Sequence, residues 1–286
     1  MSKKLQVLFF GIFSTLLVLA GVFYWLSEKE TSRTDKGEDN LSFAGAREGE
    51  PVLQLAIFAD IHSDWEGLQK AVLKVNNNKS VDFVLVLGDL TDLGSIDNLN
   101  ISKNILDGLN VNYYVVPGNH DLWYSRRDGN LHDYNFVQVF GDQPACFSEK
   151  GFNFVLLDSS DEQKKIESSH WLEIQNCLNK KEPVLFFGHI PLYHPANERV
   201  MGQYSLEVGK QAEILRDKLC SQKAKLAVVA HLHSFAKYNY ACDNGYKLPM
   251  VVSPGLTIKR NFQSPRFLYL DIFGGGAFEE REEIID

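Results

Sequence analysis

Residues 81–92 read Val81-Asp82-Phe83-Val84-Leu85-Val86-Leu87-Gly88-Asp89-Leu90-Thr91-Asp92. The run at 83–87 is apolar without alternation, as in a strand buried on both faces of a sheet. It stops at a Gly-Asp pair, which delivers a carboxylate where the strand ends. The same pattern recurs on either side. Residues 52–59 form a short apolar run ending in Asp60-Ile61-His62. Residues 113–116 lead into Pro117-Gly118-Asn119-His120-Asp121, 184–187 into Gly188-His189, and 226–229 into Ala230-His231-Leu232-His233.

Between these strands lie helical patterns. Residues 65–75 place Trp65, Leu68, Val72 and Val75 on one face, and 101–109, 168–179 and 210–220 also read as helices. Residues 153–157 form another strand, with late strands at 238–241, 246–252 and 267–272. Such an order predicts an α/β protein of two packed sheets with helices outside. Strand ends along one edge of an α/β sheet open onto a common crevice. Of the chain's eight histidines, His62, His120, His189, His231 and His233 all fall in these segments.

Asp60, His62, Asp89, Asn119, His189, His231 and His233 together make a mixed oxygen and nitrogen donor set suited to first-row divalent cations. Seven donors are too many for one ion and fit two, with one carboxylate bridging. Asp and Asn also cap helices and form turns, which accounts for any one of them alone but not for the clustering. Two ions about 3.5–4 Å apart activate a water and clamp the attacking and leaving oxygens of a phosphoryl displacement.

The five segments, in this order from Asp60 to His233, resemble the calcineurin-like metallophosphoesterase family, in its bacterial branch that includes cyclic-nucleotide phosphodiesterases. The resemblance implies a four-layer αββα sandwich. It implies Asp60, His62 and His233 on a first metal, Asn119, His189 and His231 on a second, and Asp89 bridging. The metals would be Mn, Fe or Zn. His120 would be the general acid, oriented by Asp121, and a metal-bound hydroxide the nucleophile. Ala230 departs from the family's usual glycine there, which would cost about 1 kcal/mol if that backbone needs φ > 0. Leu93 and Pro117 stand where the phosphoprotein phosphatases carry phosphate-clamping arginines, which points away from that branch.

The resemblance accordingly implies hydrolysis of phosphomonoesters or phosphodiesters, of small molecules or lipid-linked substrates. The alternative is a membrane-tethered binding or scaffold domain of the same fold without turnover. Asp92 reads equally as a neighbour of the ligands or as a turn residue. His194 reads as a surface histidine, with a substrate contact in a lid as the alternative; Tyr193, Asn197 and Arg199 carry the same two readings, Arg199 being the better phosphate contact if the segment folds over the site. Trp123, Tyr124, Arg126 and Arg127 read as a solvated loop rather than a substrate wall, and His132 and His170 as structural.

Lys3 and Lys4 precede an uncharged apolar run at 5–26 that closes with Tyr24-Trp25-Leu26. A helix of that length crosses a hydrocarbon core of about 30 Å. The expected organisation is a cytoplasmic stub at 1–4, a transmembrane anchor at 5–26 and a polar linker at 27–50. The catalytic domain at 51–286 follows, outside the cytoplasm by the positive-inside tendency. Cleavage after Val18-Leu19-Ala20 would instead secrete it. The net charge of -8 argues against a broad nucleic-acid-binding face; oligomeric state is not legible. Cys146, Cys177, Cys220 and Cys242 lack metal-site spacing and read as small buried hydrophobes, with disulfides as the alternative in an exported domain. The acidic segment 279–286 is expected to be a solvated end.

Overall fold

The computed structural model describes residues 49–129, 133–261 and 263–285. The expected anchor, most of the linker and His132 lie outside them. Among the described residues no helix is long and apolar enough to cross a membrane.

The first half runs β1 (Leu53–Phe58), α1 (Trp65–Asn77), β2 (Phe83–Leu87), α2 (Ile96–Leu106) and β3 (Asn112–Val116). Helix α1 starts where the Asp64 carboxylate accepts a hydrogen bond from the Gly67 amide, and it buries Leu68, Ala71, Val72 and Val75. Helix α2 begins earlier than its apolar spacing suggests, because Ser95 caps it by accepting from the Asn98 amide. A 3₁₀ turn (Asn119–Leu122), α3 (Trp123–Arg127) and α4 (Tyr134–Phe140) follow, so the expected loop at 123–127 is helical. The second half runs β4 (Cys146–Glu149), β5 (Phe152–Leu157), α5 (Ser168–Leu178), β6 (Val184–Gly188), α6 (Leu206–Ser221) and β7 (Leu226–Val229). It closes with β8 (Ala236–Ala241), β9 (Lys247–Val252), β10 (Arg266–Ile272) and β11 (Phe278–Ile284).

These strands form a mixed α/β sandwich of two sheets, ordered β11-β10-β1-β2-β3 and β4-β5-β6-β7-β9-β8. Alternate residues of β1 show how the layers are filled. Leu53, Leu55 and Ile57 pack in a core shared with Phe154, Leu185, Phe187 and Val228 of the other sheet. Ala56 and Phe58 pack with Leu68, Val72 and Leu106 of the helices outside. The second sheet buries Phe186, Ala227 and Val229 against Ile174 of α5 and Leu215 of α6. Strands β1, β2 and β3 are mutually parallel, as are β5, β6, β7 and β9. Each set therefore brings its C-terminal ends to one edge.

Two expectations are overturned. Segment 278–284 is an edge strand, antiparallel to β10 from Arg266↔Ile284 to Ile272↔Phe278. Its acidic residues meet cations on neighbouring elements: Glu283 lies 2.8 Å from Lys74, Glu282 lies 2.9 Å from Arg266, and Glu280 pairs with Lys237. Phe278 and Ile285 are buried, which ties down both ends. The cysteines form two disulfides, Cys146–Cys177 between β4 and α5 and Cys220–Cys242 between α6 and the residue after β8. The paired Cα atoms lie 5.9 and 5.8 Å apart across separations of 31 and 22 residues, a tertiary proximity that local spacing does not reveal.

Candidate metal centre

The strand ends are bound to one another through their backbones. The Ile61 and His62 amides each donate to the Asp89 carbonyl at 2.9 Å, and the Ala230 amide donates to the His189 carbonyl at 2.8 Å. Gly88 and Gly118 pack so closely that a Cβ on Gly118 would lie 2.2 Å from Asp89 N and Oδ1. Asp60, His62, Asp89, His231 and His233 all hold φ between 46° and 70°. Non-glycine residues avoid that left-handed region, and such strain collects at functional sites. The bend turns each side chain into the crevice. Ala230 is not among the positive-φ residues, so its backbone asks for no glycine.

Two donor groups result. Asp60, His62, Asp89 and His233 place one ligand atom each within 4.8 Å of one another, and so do Asp89, His189 and His231. Asp89 belongs to both. Its Oδ1 accepts from the His120 amide at 2.9 Å, while Oδ2 lies 3.4 Å from both His62 Nε2 and His189 Nε2. His62 Nε2 and His233 Nε2 converge to 3.0 Å. His189 Nδ1 donates to the Leu87 carbonyl at 2.7 Å, which leaves Nε2 as its free donor atom. Asn119 Oδ1 sits 3.2 Å from His189 Nε2, with its Nδ2 donating to Glu162.

The protein alone leaves this cluster uncompensated. Among the described residues, both Asp60 oxygens, Asp89 Oδ2, and Nδ1 of His231 and His233 are buried without hydrogen-bond partners. Burial, reinforced by the Asp89 charge, pushes the Asp60 carboxyl up to about 7. Burial lowers His62 to about 3 and His233 to about 4, and takes His231 well below its usual value, so these imidazoles are neutral near pH 7. Burial alone would raise Asp89 and lower His189. Their mutual attraction outweighs it, holding Asp89 well below the usual carboxylate range and raising His189 to about 9. Three neutral imidazoles and a His189 whose proton a cation would displace surround two buried carboxylates, and the donor set fits two divalent cations.

His120 stands beside the first group, edge-on to His62 with ring centres 4.7 Å apart and stacked on Trp123 at 4.5 Å. Its Nδ1 donates to the Asp92 carbonyl at 2.9 Å. Asp121 therefore does not orient it as expected. The Asp121 carboxylate accepts instead from the amides of Leu90, Thr91 and Gly118 and from the Thr91 hydroxyl, at 3.0–3.1 Å. It locks the two loops together. Asp92 is a neighbour of the ligands, with Oδ1 3.4 Å from His62 Nδ1. The Arg199 charge acts on Asp60, Glu162, His231 and His233. His194 packs against Tyr238, and His170 lies 3.9 Å from Glu173.

Two residues escaped the sequence reading. Glu162 lies 4.0 Å from His231 Nε2, and Arg260 Nη1 lies 3.3 Å from His120 Nε2. They follow β5 and β9, which are parallel to the ligand-bearing β6 and β7. The strand-end rule that located the ligands points to these loops but not to residues this far along them.

Comparison with known proteins agrees with this geometry. A dimetal phosphatase from Danio rerio superposes with a TM-score of 0.58 at 17% identity, covering 83% of this chain and 100% of that one. A purple acid phosphatase from yellow lupin also gives 0.58, at 15% identity, covering 83% of this chain and 53% of that one. At such identities the likeness concerns the fold. A protein of Arcobacter nitrofigilis named "Probable glycerophosphodiester phosphodiesterase GpdQ" is 30% identical over 182 residues, 61% of this chain. The chain spans 64% of that relative's length. A Fibrobacter succinogenes protein named "Probable cyclic nucleotide phosphodiesterase" is 24% identical over 188 residues, 63% of this chain and 70% of its own. The model of one family, described as calcineurin-like phosphoesterase, matches residues 53–235, and it is to this family that the chain belongs.

Proposed function

We propose that this chain is a two-metal phosphoester hydrolase, membrane-anchored with its catalytic domain outside the cytoplasm. The observation that carries the hydrolase reading is Asp89 Oδ2, unpartnered and 3.4 Å from a histidine of each donor group. Asp60, His62, Asp89 and His233 would hold one divalent cation, and Asp89, Asn119, His189 and His231 the other. Bound there, the cations would supply Lewis-acid charge to the phosphoryl oxygens and lower the pKa of an attacking water.

The remaining work falls to the protein. The Asp92 carbonyl fixes the proton of His120 on Nδ1. Protonated on both nitrogens, the ring presents Nε2–H to the leaving oxygen and acts there as general acid. Trp123 stacks on that ring and restricts its rotation. Asp121 holds the Gly88–Asp92 and Gly118–Leu122 loops in register, and so acts on His120 through the backbone. The names of the two bacterial relatives favour a phosphodiester. Two disulfides suit an oxidising compartment, and the apolar run at 5–26 supplies the anchor.

The test is turnover of p-nitrophenyl phosphate and bis(p-nitrophenyl) phosphate by the full chain, stripped of metal and then given Mn²⁺. Asp89→Asn and His120→Asn serve beside it. We expect metal-restored hydrolysis, faster on the diester, with losses of at least about 10²-fold in both variants. A well-folded chain that takes up no metal would end the proposal.

A further inference from the structure

We infer that Arg260 is the phosphate clamp of this site, binding the substrate's phosphoryl oxygens from beside His120. The inference rests on the proposed phosphoester chemistry. It supplies, from a different loop, the kind of contact that Leu93 and Pro117 cannot make.

The loop after β9 is fastened to the metal-binding end of β1. The Leu256 and Thr257 amides donate to the carbonyls of Ala59 and Asp60 at 2.9 and 3.2 Å, and the Ile258 amide donates to Asp64 Oδ2 at 3.0 Å. Asn261 Nδ2 donates to the Gly255 and Thr257 carbonyls, closing the loop on itself. Arg260 is held at its tip with φ 56°, a strained conformation for a side chain its size. The guanidinium comes to rest with Nη1 3.3 Å from His120 Nε2 and Nη2 4.0 Å from Asp92 Oδ1.

This placement leaves the fork largely unused. Arg has five N–H donors, and the Asp92 contact is at the outer limit of an ion pair and shared with Lys259 Nζ, also at 4.0 Å. Half of the Arg260 side chain is exposed. A leaving oxygen that takes a proton from His120 Nε2 must come within about 3 Å of that nitrogen. It then lies beside Nη1, and a planar fork engages that oxygen and a non-bridging oxygen of the same phosphoryl group together. Substrate thus replaces His120 as the acceptor of the Arg260 hydrogen bond, and the freed Nε2 takes up a proton from solvent before passing it to the leaving oxygen.

Arg260→Ala adds no backbone strain beyond what Arg260 already bears, so the variant is expected to fold and to load metal as the parent does. With the Mn²⁺-loaded full chain, we expect kcat/KM for both p-nitrophenyl esters to fall about 10- to 100-fold. Free guanidinium should restore several-fold of that loss, and Arg260→Lys should recover part of it. Calorimetric titration with inorganic phosphate should show binding weakened by a similar factor. The clamp is overturned if kcat/KM and phosphate affinity both stay within about twofold of the parent, or if guanidinium restores nothing. Should the parent hydrolyse neither ester, the proposed function fails, yet the phosphate titration still decides the role of Arg260. A parent that binds no phosphate overturns the clamp as well.

Discussion

Both carboxylate oxygens of Asp60 are buried without a hydrogen-bond partner, and its backbone is held at φ 50°. His189 pairs with Asp89 and also attracts Asp60, but burial outweighs that attraction, and His233 Nε2, 3.6 Å from Asp60 Oδ1, belongs to an imidazole that burial keeps neutral. A residue so placed lowers the stability of the metal-free protein and becomes favourable once a cation shares its charge. Asn at this position removes the charge and tolerates the left-handed backbone. Asp60→Asn is therefore expected to stabilise the metal-free chain by about 1–2 kcal/mol while abolishing most of the stabilisation that Mn²⁺ confers. Thermal melts of both proteins with and without Mn²⁺ read this directly. A variant less stable than its parent without metal would mean that Asp60 has a protein partner after all.

Elements set where such residues meet. The close contact of Gly88 and Gly118, just past the ends of the paired strands β2 and β3, brings the Asp89 carboxylate against the turn that bears Asn119 and His120. Gly118→Ala would drive a methyl group into Asp89 N and Oδ1 at 2.2 Å, so the two strand ends must separate. A displacement of about 1 Å in a catalytic group costs on the order of 10²-fold in rate. We expect that loss in ester turnover, with weaker metal uptake. Gly274→Ala, where nothing lies within 4 Å of the added carbon, should leave both unchanged. Turnover within a few-fold of the parent in Gly118→Ala would show that this close contact is not needed. The same strand ends explain what the sequence reveals. Buried parallel strands are mostly apolar runs, so β1, β2, β6 and β7 announce themselves, and a ligand follows within two residues of each strand's end. Arg260 and Glu162 lie further down their loops, where only tertiary folding decides what turns back toward the crevice. Strand β11 is polar from Glu279 to Glu283, because an edge strand backed by cations needs few apolar residues, and its sequence reads like a solvated tail.

At the scale of the molecule, the two sheets are joined by a shared apolar core and by the donor groups, but not by any disulfide among the described residues. Each donor group takes ligands from both sheets: His233 completes the group built on β1 and β2, and Asp89 completes the one built on β6 and β7. Both disulfides instead tie helices to the second sheet, which supplies His189, His231 and His233. Loops of 31 and 22 residues closed by disulfides each restrict the unfolded chain by roughly 3 kcal/mol. Removing both, by Cys146→Ala with Cys177→Ala and Cys220→Ala with Cys242→Ala, should lower the melting temperature of the metal-free chain by on the order of 10 °C. Adding Mn²⁺ should raise it again in the variant as in the parent, since the cations bind the folded arrangement across both sheets and act independently of the cross-links. Calorimetric melts of the two proteins, each with and without Mn²⁺, measure both effects. An unchanged metal-free melting temperature would mean that the disulfides add nothing to stability. A variant that no longer responds to Mn²⁺ would mean that the cross-links are needed to keep the histidines of the second sheet in reach of Asp89.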